Sequence, residues 1–267
     1  MKLTLGYSPC PNDTFMFHAL TRGLLSFPRQ DFSVKIHDVE TLNAMAFESH
    51  LDITKLSFYA WLKLKGQYKL LESGAALGFG CGPMLISRED IPLNRVSGYR
   101  IALPGEWTTA HLLFQIWAPD AKNKLFVPYD QIFDVIRQGK ADCGVIIHES
   151  RFTYKKAGFR AIVDLGEWWE KKTGLPIPLG CIAVKKGLDK HITKELTNLI
   201  KASIAHAQNN PDESLPYIRK YAKEMDDAVL KTHIKTFVNE FSIDLGDIGR
   251  NAIDMLEELA LKAGIII

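Results

Sequence analysis

Short apolar runs alternate with helix-period segments over the first two thirds of this 267-residue chain and then give way to helices alone. That order constrains the fold more than any single motif. The runs at 2–7, 33–39, 53–58, 83–87, 100–103, 124–128, 143–147 and 180–184 read as strands. Between them, 14–25, 41–49, 109–117 and 129–138 carry apolar residues at helical spacing. Strands alternating with helices of this length predict an α/β fold, with a mostly parallel sheet and helices packed on its faces. From Leu188 onward the pattern predicts helices at 192–209, 211–224, 226–237 and 247–263. Pro211 suits a first helical turn and Gly264 a helix C-terminus. The closing Ile265-Ile266-Ile267 is expected to dock, since an exposed apolar tail is a liability.

A chain of this length sits near the ceiling of a single core. Two lobes are therefore expected, one built from 1–96 and 185–267 and the other, 97–184, inserted between them. Two crossings, near 94–99 and 185–187, describe a central cleft that closes by hinge motion. Lys and Arg number 33 against 31 Asp and Glu, a net charge of +2. That balance gives no reason to expect nucleic acid or an anionic membrane as partner. Cys10, Cys81, Cys143 and Cys181 stand far apart with no CxxC spacing, which argues against a disulfide framework or a zinc site. No apolar run approaches the roughly 18 residues of a membrane span. The start, Met1 to Ser8, reads as a first strand and not as an export signal. The expectation is a cytoplasmic protein with a small-molecule ligand and no metal or organic cofactor; oligomeric state is not legible in the residues.

Candidate chemistry lies where predicted strands end, the place where open α/β sheets bind ligands. His148-Glu149-Ser150-Arg151 follows the run 143–147, and His148 is a candidate proton-transfer group because imidazole titrates near neutrality. Ser8-Pro9-Cys10-Pro11-Asn12-Asp13 follows the first strand; the prolines stiffen it, and Asn12 or Asp13 can cap the next helix. Nothing nearby in sequence would lower the pKa of Cys10, so it makes a poor nucleophile. Lys55-Leu56-Ser57 ends the third strand in a hydroxyl with free amides, suited to an anionic or hydroxylated ligand. In Pro104-Gly105-Glu106-Trp107-Thr108-Thr109-Ala110, Gly105 permits unusual backbone angles and Thr108 or Thr109 can cap a helix whose unpaired amides favour a carboxylate. Gly78-Phe79-Gly80-Cys81-Gly82 precedes a strand and reads as a turn, not a phosphate loop. His18, His37, His50, His111, His191, His206 and His233 show no metal-ligand spacing and are weaker candidates.

Taken together, Gly6 through Phe15, Lys55-Leu56-Ser57, Pro104-Gly105 with Thr108-Thr109-Ala110, and the block from Ile147 through Tyr154 closely resemble the 1,4-dihydroxy-6-naphthoate synthase family of the futalosine route to menaquinone. The resemblance runs over nearly the whole chain, and that family is similar in fold to type II periplasmic solute-binding proteins. It implies a cofactor- and metal-independent lyase that converts cyclic dehypoxanthinyl futalosine to 1,4-dihydroxy-6-naphthoate. The family's proton acceptor falls on His148, and its substrate-binding positions fall on Lys55, Leu56, Ser57, Thr109 and Ala110. Two alternatives share the two-lobed layout: the chorismate dehydratase of the same pathway, and an organic-anion-binding protein without chemistry. The loop Ser8-Pro9-Cys10-Pro11 and the His148 block resemble the synthase.

Overall fold

A computed structural model describes residues 2–25, 32–223 and 226–267. Glu224, the expected end of one helix, lies outside them. The chain begins β1 (Leu3–Tyr7), α1 (Pro11–Thr21), β2 (Phe32–Ile36), α2 (Val39–Phe47), β3 (Ile53–Ser57), α3 (Phe58–Leu64), β4 (Tyr68–Leu70) and β5 (Ala76–Gly78). It continues through β6 (Met84–Ser87), β7 (Ile101–Leu103), α4 (Thr109–Trp117), β8 (Lys124–Phe126), α5 (Ile132–Arg137), β9 (Cys143–Ile146), α6 (Ser150–Thr153), β10 (Arg160–Asp164) and α7 (Leu165–Thr173). β11 (Ile177–Lys185) then leads into α8 (Lys190–Asn209), α9 (Pro211–Tyr221), α10 (Asp227–Phe237), α11 (Glu240–Ile243) and α12 (Gly246–Lys262).

The fold is α/β, as expected, but the described strands form two mixed sheets. The first runs β2-β1-β3-β11-β4 with β5 also on β11; the second runs β10-β6-β9-β7-β8. β1 is parallel to β2 and β3, and β7 to β8 and β9, whereas β11 and β6 are antiparallel to their neighbours. The expectation of a mostly parallel sheet fails at these two strands for one reason. Each is the first strand after the chain changes sheets, so no βαβ crossover within a sheet dictates its direction. The changes fall between Gly78 and Met84 and between Asp164 and Ile177. They precede the expected boundaries at 96/97 and 184/185, because β6 already belongs to the second sheet and β11 to the first. β11 also starts three residues earlier than the run 180–184; Pro178 is accommodated where its register against β5 shifts.

Three apolar clusters hold this arrangement. One joins α3, α4 and α12 across both sheets, one packs α1 and α8 on the first sheet, and a smaller one lies between α5 and the second sheet. Ile266 is buried in the first cluster while Ile267 is exposed, so the apolar tail docks through its penultimate residue. The Gly78–Gly82 turn is the first crossing, and it depends on the absence of side chains. A Cβ on Gly82 would lie 2.3 Å from Gly166 Cα, backbone against backbone. Arg151 pins the same turn, donating to Gly82 O at 2.6 Å and to Asp164 Oδ2 at 2.8 Å. Gly82→Ala is therefore expected to destabilise the fold by about 1–3 kcal/mol, as overpacking does. Chemical denaturation of the variant measures it, and a midpoint equal to wild type would show that the crossing can relax.

Candidate functional site

Between the two sheets lies a cavity of about 80 Å³, walled by the turn after β1, the end of β3, the start of α4, His148 after β9, Gly180 of β11 and Phe237 at the end of α10. Its most tightly held group is Asp13. The residue sits in the first turn of α1, where the helix dipole favours a carboxylate. It does not cap the helix: the N-cap residue is Cys10, and no side chain caps that end. Instead Asp13 Oδ2 accepts from Ser8 N at 3.1 Å and Ser8 Oγ at 2.7 Å, and Oδ1 accepts from Asn12 Nδ2 at 2.9 Å and Lys55 Nζ at 2.8 Å. The expected capping role of Asn12 and Asp13 is thereby corrected to an internal one. Both partners of the Asp13–Lys55 pair are buried.

Strand alternation sorts the predicted residues of β3. Lys55 and Ser57 line the cavity, while Leu56 points the other way into the apolar core. The expected free amide of Ser57 is occupied: Ser57 N donates to Asn43 Oδ1 at 3.0 Å, and Asn43 Nδ2 donates to Ser57 Oγ at 3.1 Å. Ser57 retains its own hydroxyl proton for a ligand. Thr109 and Ala110 line the opposite wall. Thr108 caps α4 by accepting from His111 N at 3.2 Å, which leaves the amides of Thr109 and Ala110 without intrahelical acceptors. Gly105 has a φ of 145°, as its place in the turn before α4 demands.

His148 adopts the left-handed conformation, φ 57°, which turns the chain sharply from β9 into α6. Cys10 Sγ lies 3.6 Å from its Nδ1, and the Tyr129 ring stands edge-on with centroids 4.9 Å apart. Burial, opposed by the Asp13 carboxylate and reinforced by Lys55, pushes the imidazole pKa down to about 4. The ring is thus neutral at pH 7. Burial pushes the Cys10 thiol pKa well up, so it stays protonated beside the imidazole, in keeping with its weak credentials as a nucleophile. The rest of the His148 block diverges: Arg151 serves the crossing, and Glu149 Oε2 lies 4.0 Å from Nδ1 of the buried His233.

The two sheets also clasp each other beside the cavity. Glu40 of α2 accepts from Trp107 N at 3.0 and 3.2 Å through its two carboxylate oxygens, and Asn43, one turn on, donates to Trp107 O at 3.4 Å. Phe47, another turn along, packs its ring on Trp107 with centroids 4.6 Å apart. One face of α2 thus grips the turn that leads into α4, with Gly105 against the Glu40 side chain. Burial raises the Glu40 pKa, opposed by the Trp107 amide.

Comparison with known proteins decides the lineage of this site. The family model described as menaquinone biosynthesis matches residues 3–262. The chain belongs to the menaquinone biosynthesis family. It is 43% identical over 258 residues to the 1,4-dihydroxy-6-naphthoate synthase of Thermus thermophilus, covering 95% of this chain and 92% of that one. It is 41% identical over 271 residues to the synthase of the same name from Streptomyces coelicolor, covering 99% and 94%. A crystal structure of a protein from Archaeoglobus fulgidus superposes with a TM-score of 0.94 at 32% identity, covering 99% of this chain and 98% of that one. An alkanesulfonate-binding protein from Xanthomonas axonopodis shares the fold alone, with a TM-score of 0.72 at 12% identity over 100% and 94% of the two chains. The chain is an enzyme of this family, on a periplasmic-binding-protein-like fold. No helix among the described residues is long and apolar enough to cross a membrane.

Of the predicted site residues, His148, Lys55, Ser57, Thr109 and Ala110 converge on the cavity; Leu56 does so only through its strand. Sequence reading missed Asp13 as the partner of Lys55, Asn43 as the support of Ser57, and His233 and Phe237 from the helical tail. A carboxylate in a helix's first turn reads as a dipole partner, and nothing local links Asp13 to Lys55, 42 residues away. Asp13→Asn is expected to cost about 3–5 kcal/mol, because it leaves the Lys55 ammonium buried and unpaired. In thermal unfolding, Asp13→Leu with Lys55→Met should recover much of that loss; no recovery would mean the carboxylate matters for something other than pairing.

Proposed function

We propose that this enzyme converts cyclic dehypoxanthinyl futalosine to 1,4-dihydroxy-6-naphthoate by carbon–carbon cleavage, as a cytoplasmic lyase with His148 as general base. The observation that carries the reading is the pairing, in one cavity, of a neutral imidazole with a buried ammonium. Cleavage that ends in an aromatic product requires a base to take a proton and a donor to hold the oxygen on which negative charge develops. His148 can take the proton, since its lone pair is available down to about pH 4. Lys55, aligned by Asp13, can hold the oxygen. Ser57 and the amides of Thr109 and Ala110 would receive the carboxylate, at a helix start that favours an anion. The names of the two synthases and the match of the His148 block support the substrate assignment. Capture of an organic anion without chemistry is the second reading, favoured by the fold shared with the alkanesulfonate-binding protein. A turnover assay with the cyclic futalosine derivative separates the two.

His148→Ala should reduce kcat by about 10²–10⁴, the contribution of a positioned base, and leave product affinity largely intact. In the wild type, kcat/KM should fall on the acid side with an apparent pKa near 4, not 6.5, and an NMR titration of the free enzyme should show the same midpoint for His148. The sign for folding follows from the same depression. The unfolded chain binds this proton below about pH 6.5 and the folded one only near 4, so stability drops as pH falls through that window. Near-normal turnover of the alanine variant would remove His148 from the chemistry.

Ligand sites for molecules of this size occupy about 300–1,000 Å³. The cavity, at about 80 Å³, must therefore open to admit the substrate. The Glu40 clasp and the Lys223–Asp130 ion pair are among the contacts between the two sides that opening would have to break, with the bonds of Thr109 to Tyr59 and Leu179. Glu40→Ala should speed both association and dissociation of the naphthoate product several-fold in stopped-flow measurements, since it weakens the closed state. Unchanged rates would place the opening elsewhere.

A further inference from the structure

His233 of α10 lies wholly inside the protein, 221 residues from the group it contacts, and the bonds it joins can be assigned from chemistry alone. Asp13 Oδ1 already accepts from Lys55 Nζ at 2.8 Å, and a carboxylate has no proton to give, so Asn12 must turn its NH₂ group to that oxygen at 2.9 Å. The Asn12 carbonyl Oδ1 then faces His233 Nε2 at 3.0 Å. A carbonyl only accepts, so the imidazole proton resides on Nε2. Burial above all, with His148 and the Lys55 ammonium as neighbours that oppose a second proton, holds the His233 pKa well below the ordinary value, which makes the single-proton form the one at neutral pH. The bonds thus run from His233 through Asn12 to the Asp13 carboxylate, where Lys55 donates to the same oxygen from the cavity side. One turn along α10, Phe237 lines the cavity itself, its ring 4.6 Å from His233.

We propose that His233 and Asn12 are positioning residues for the reaction: they lock the Asp13 carboxylate in the orientation that aims Lys55 at the substrate oxygen. The inference rests on the role given to Lys55 above. Without the His233 donor, the Asn12 amide is free to rotate and Asp13 Oδ1 loses its second donor, so the carboxylate that holds Lys55 is fixed from the Ser8 side alone, through Oδ2. A displacement of about 1 Å at such a group costs on the order of 10²-fold in rate. The loss falls on the transition state, in which the oxygen carries charge, more than on substrate binding.

The test compares His233→Gln, whose side-chain amide can place an N–H where Nε2 stands, with His233→Phe, which fills the space without a donor. Expected are a kcat within a few-fold of wild type for the glutamine variant and a drop of about 10- to 100-fold for the phenylalanine variant, with KM changed much less. Asn12→Leu should match the latter, and the double variant should lose no more than either single change. In wild-type enzyme labelled with ¹⁵N-histidine, one- and two-bond correlations should show His233 protonated on Nε2 and bare on Nδ1. A phenylalanine variant as active as wild type, a glutamine variant as impaired as phenylalanine, or a proton on Nδ1 would each overturn the proposal. If wild type fails to turn over the futalosine derivative, the proposed reaction falls, while the tautomer measurement still judges the hydrogen-bond chain.

Discussion

The buried ion pair between Asp13 and Lys55 is the interaction on which the site depends. It joins the turn after the first strand to the middle strand of the first sheet, both at the carboxyl ends where the cavity opens. Two charges removed from water carry a desolvation cost that their mutual attraction alone does not reliably offset. Here the carboxylate is met by Ser8, Asn12 and Lys55 and stands in the first turn of α1, so both of its oxygens are saturated. The ammonium is left at the cavity wall with donor capacity to spare. A charge held this rigidly at a buried position acts more strongly on a developing oxyanion than it would in water.

The surroundings of this pair bring the two ends of the chain together. The first sheet takes its strands from residues before the first crossing and from β11 after the second. The helical tail covers α1 from behind, through α8, α9 and α10. Its contribution reaches beyond cover, because α10 sets His233 against Asn12 and Phe237 in the cavity wall. The second sheet supplies His148 and the α4 amides and is held to the first by the Glu40 clasp. The imidazole and the ammonium therefore come from different sheets, and their spacing is set by how the two sheets are held together. On the proposed reading, a fold shared with solute-binding proteins acquires chemistry where closure brings a base and a cation onto one ligand and squeezes out water.

Much of this was legible in the residues. Eight of the strands, the long helices of the tail and the α/β class follow from periodicity, because burial on one face imposes it. Strand ends and helix starts pointed to His148 and to the segments 55–57 and 104–110, and the resemblance to the synthase family narrowed these to Lys55, Leu56, Ser57, Thr109 and Ala110. The strands β4, β5 and β10 and the seven-residue α3 were not legible; β7 and β8 are as short as β4 and β5 but stand out as apolar runs flanking the helical segment 109–117. The direction of β6 and β11 was equally hidden, as apolar runs look the same in either direction.

By itself, then, the sequence determined the class of fold, the polar residues available at strand ends and the family to which the chain belongs, all properties of local pattern or of matched motifs. The tertiary structure alone decided which of those residues share a space. The partnership of Asp13 with Lys55, the link from His233 to Asn12, and the turning of Arg151 to the Gly82 crossing arise from contacts between segments far apart in the chain. Such contacts leave no local signature, because each residue's periodicity and propensity are satisfied whether or not its partner is present; the pairing exists only once packing excludes water and brings the partners within hydrogen-bonding distance.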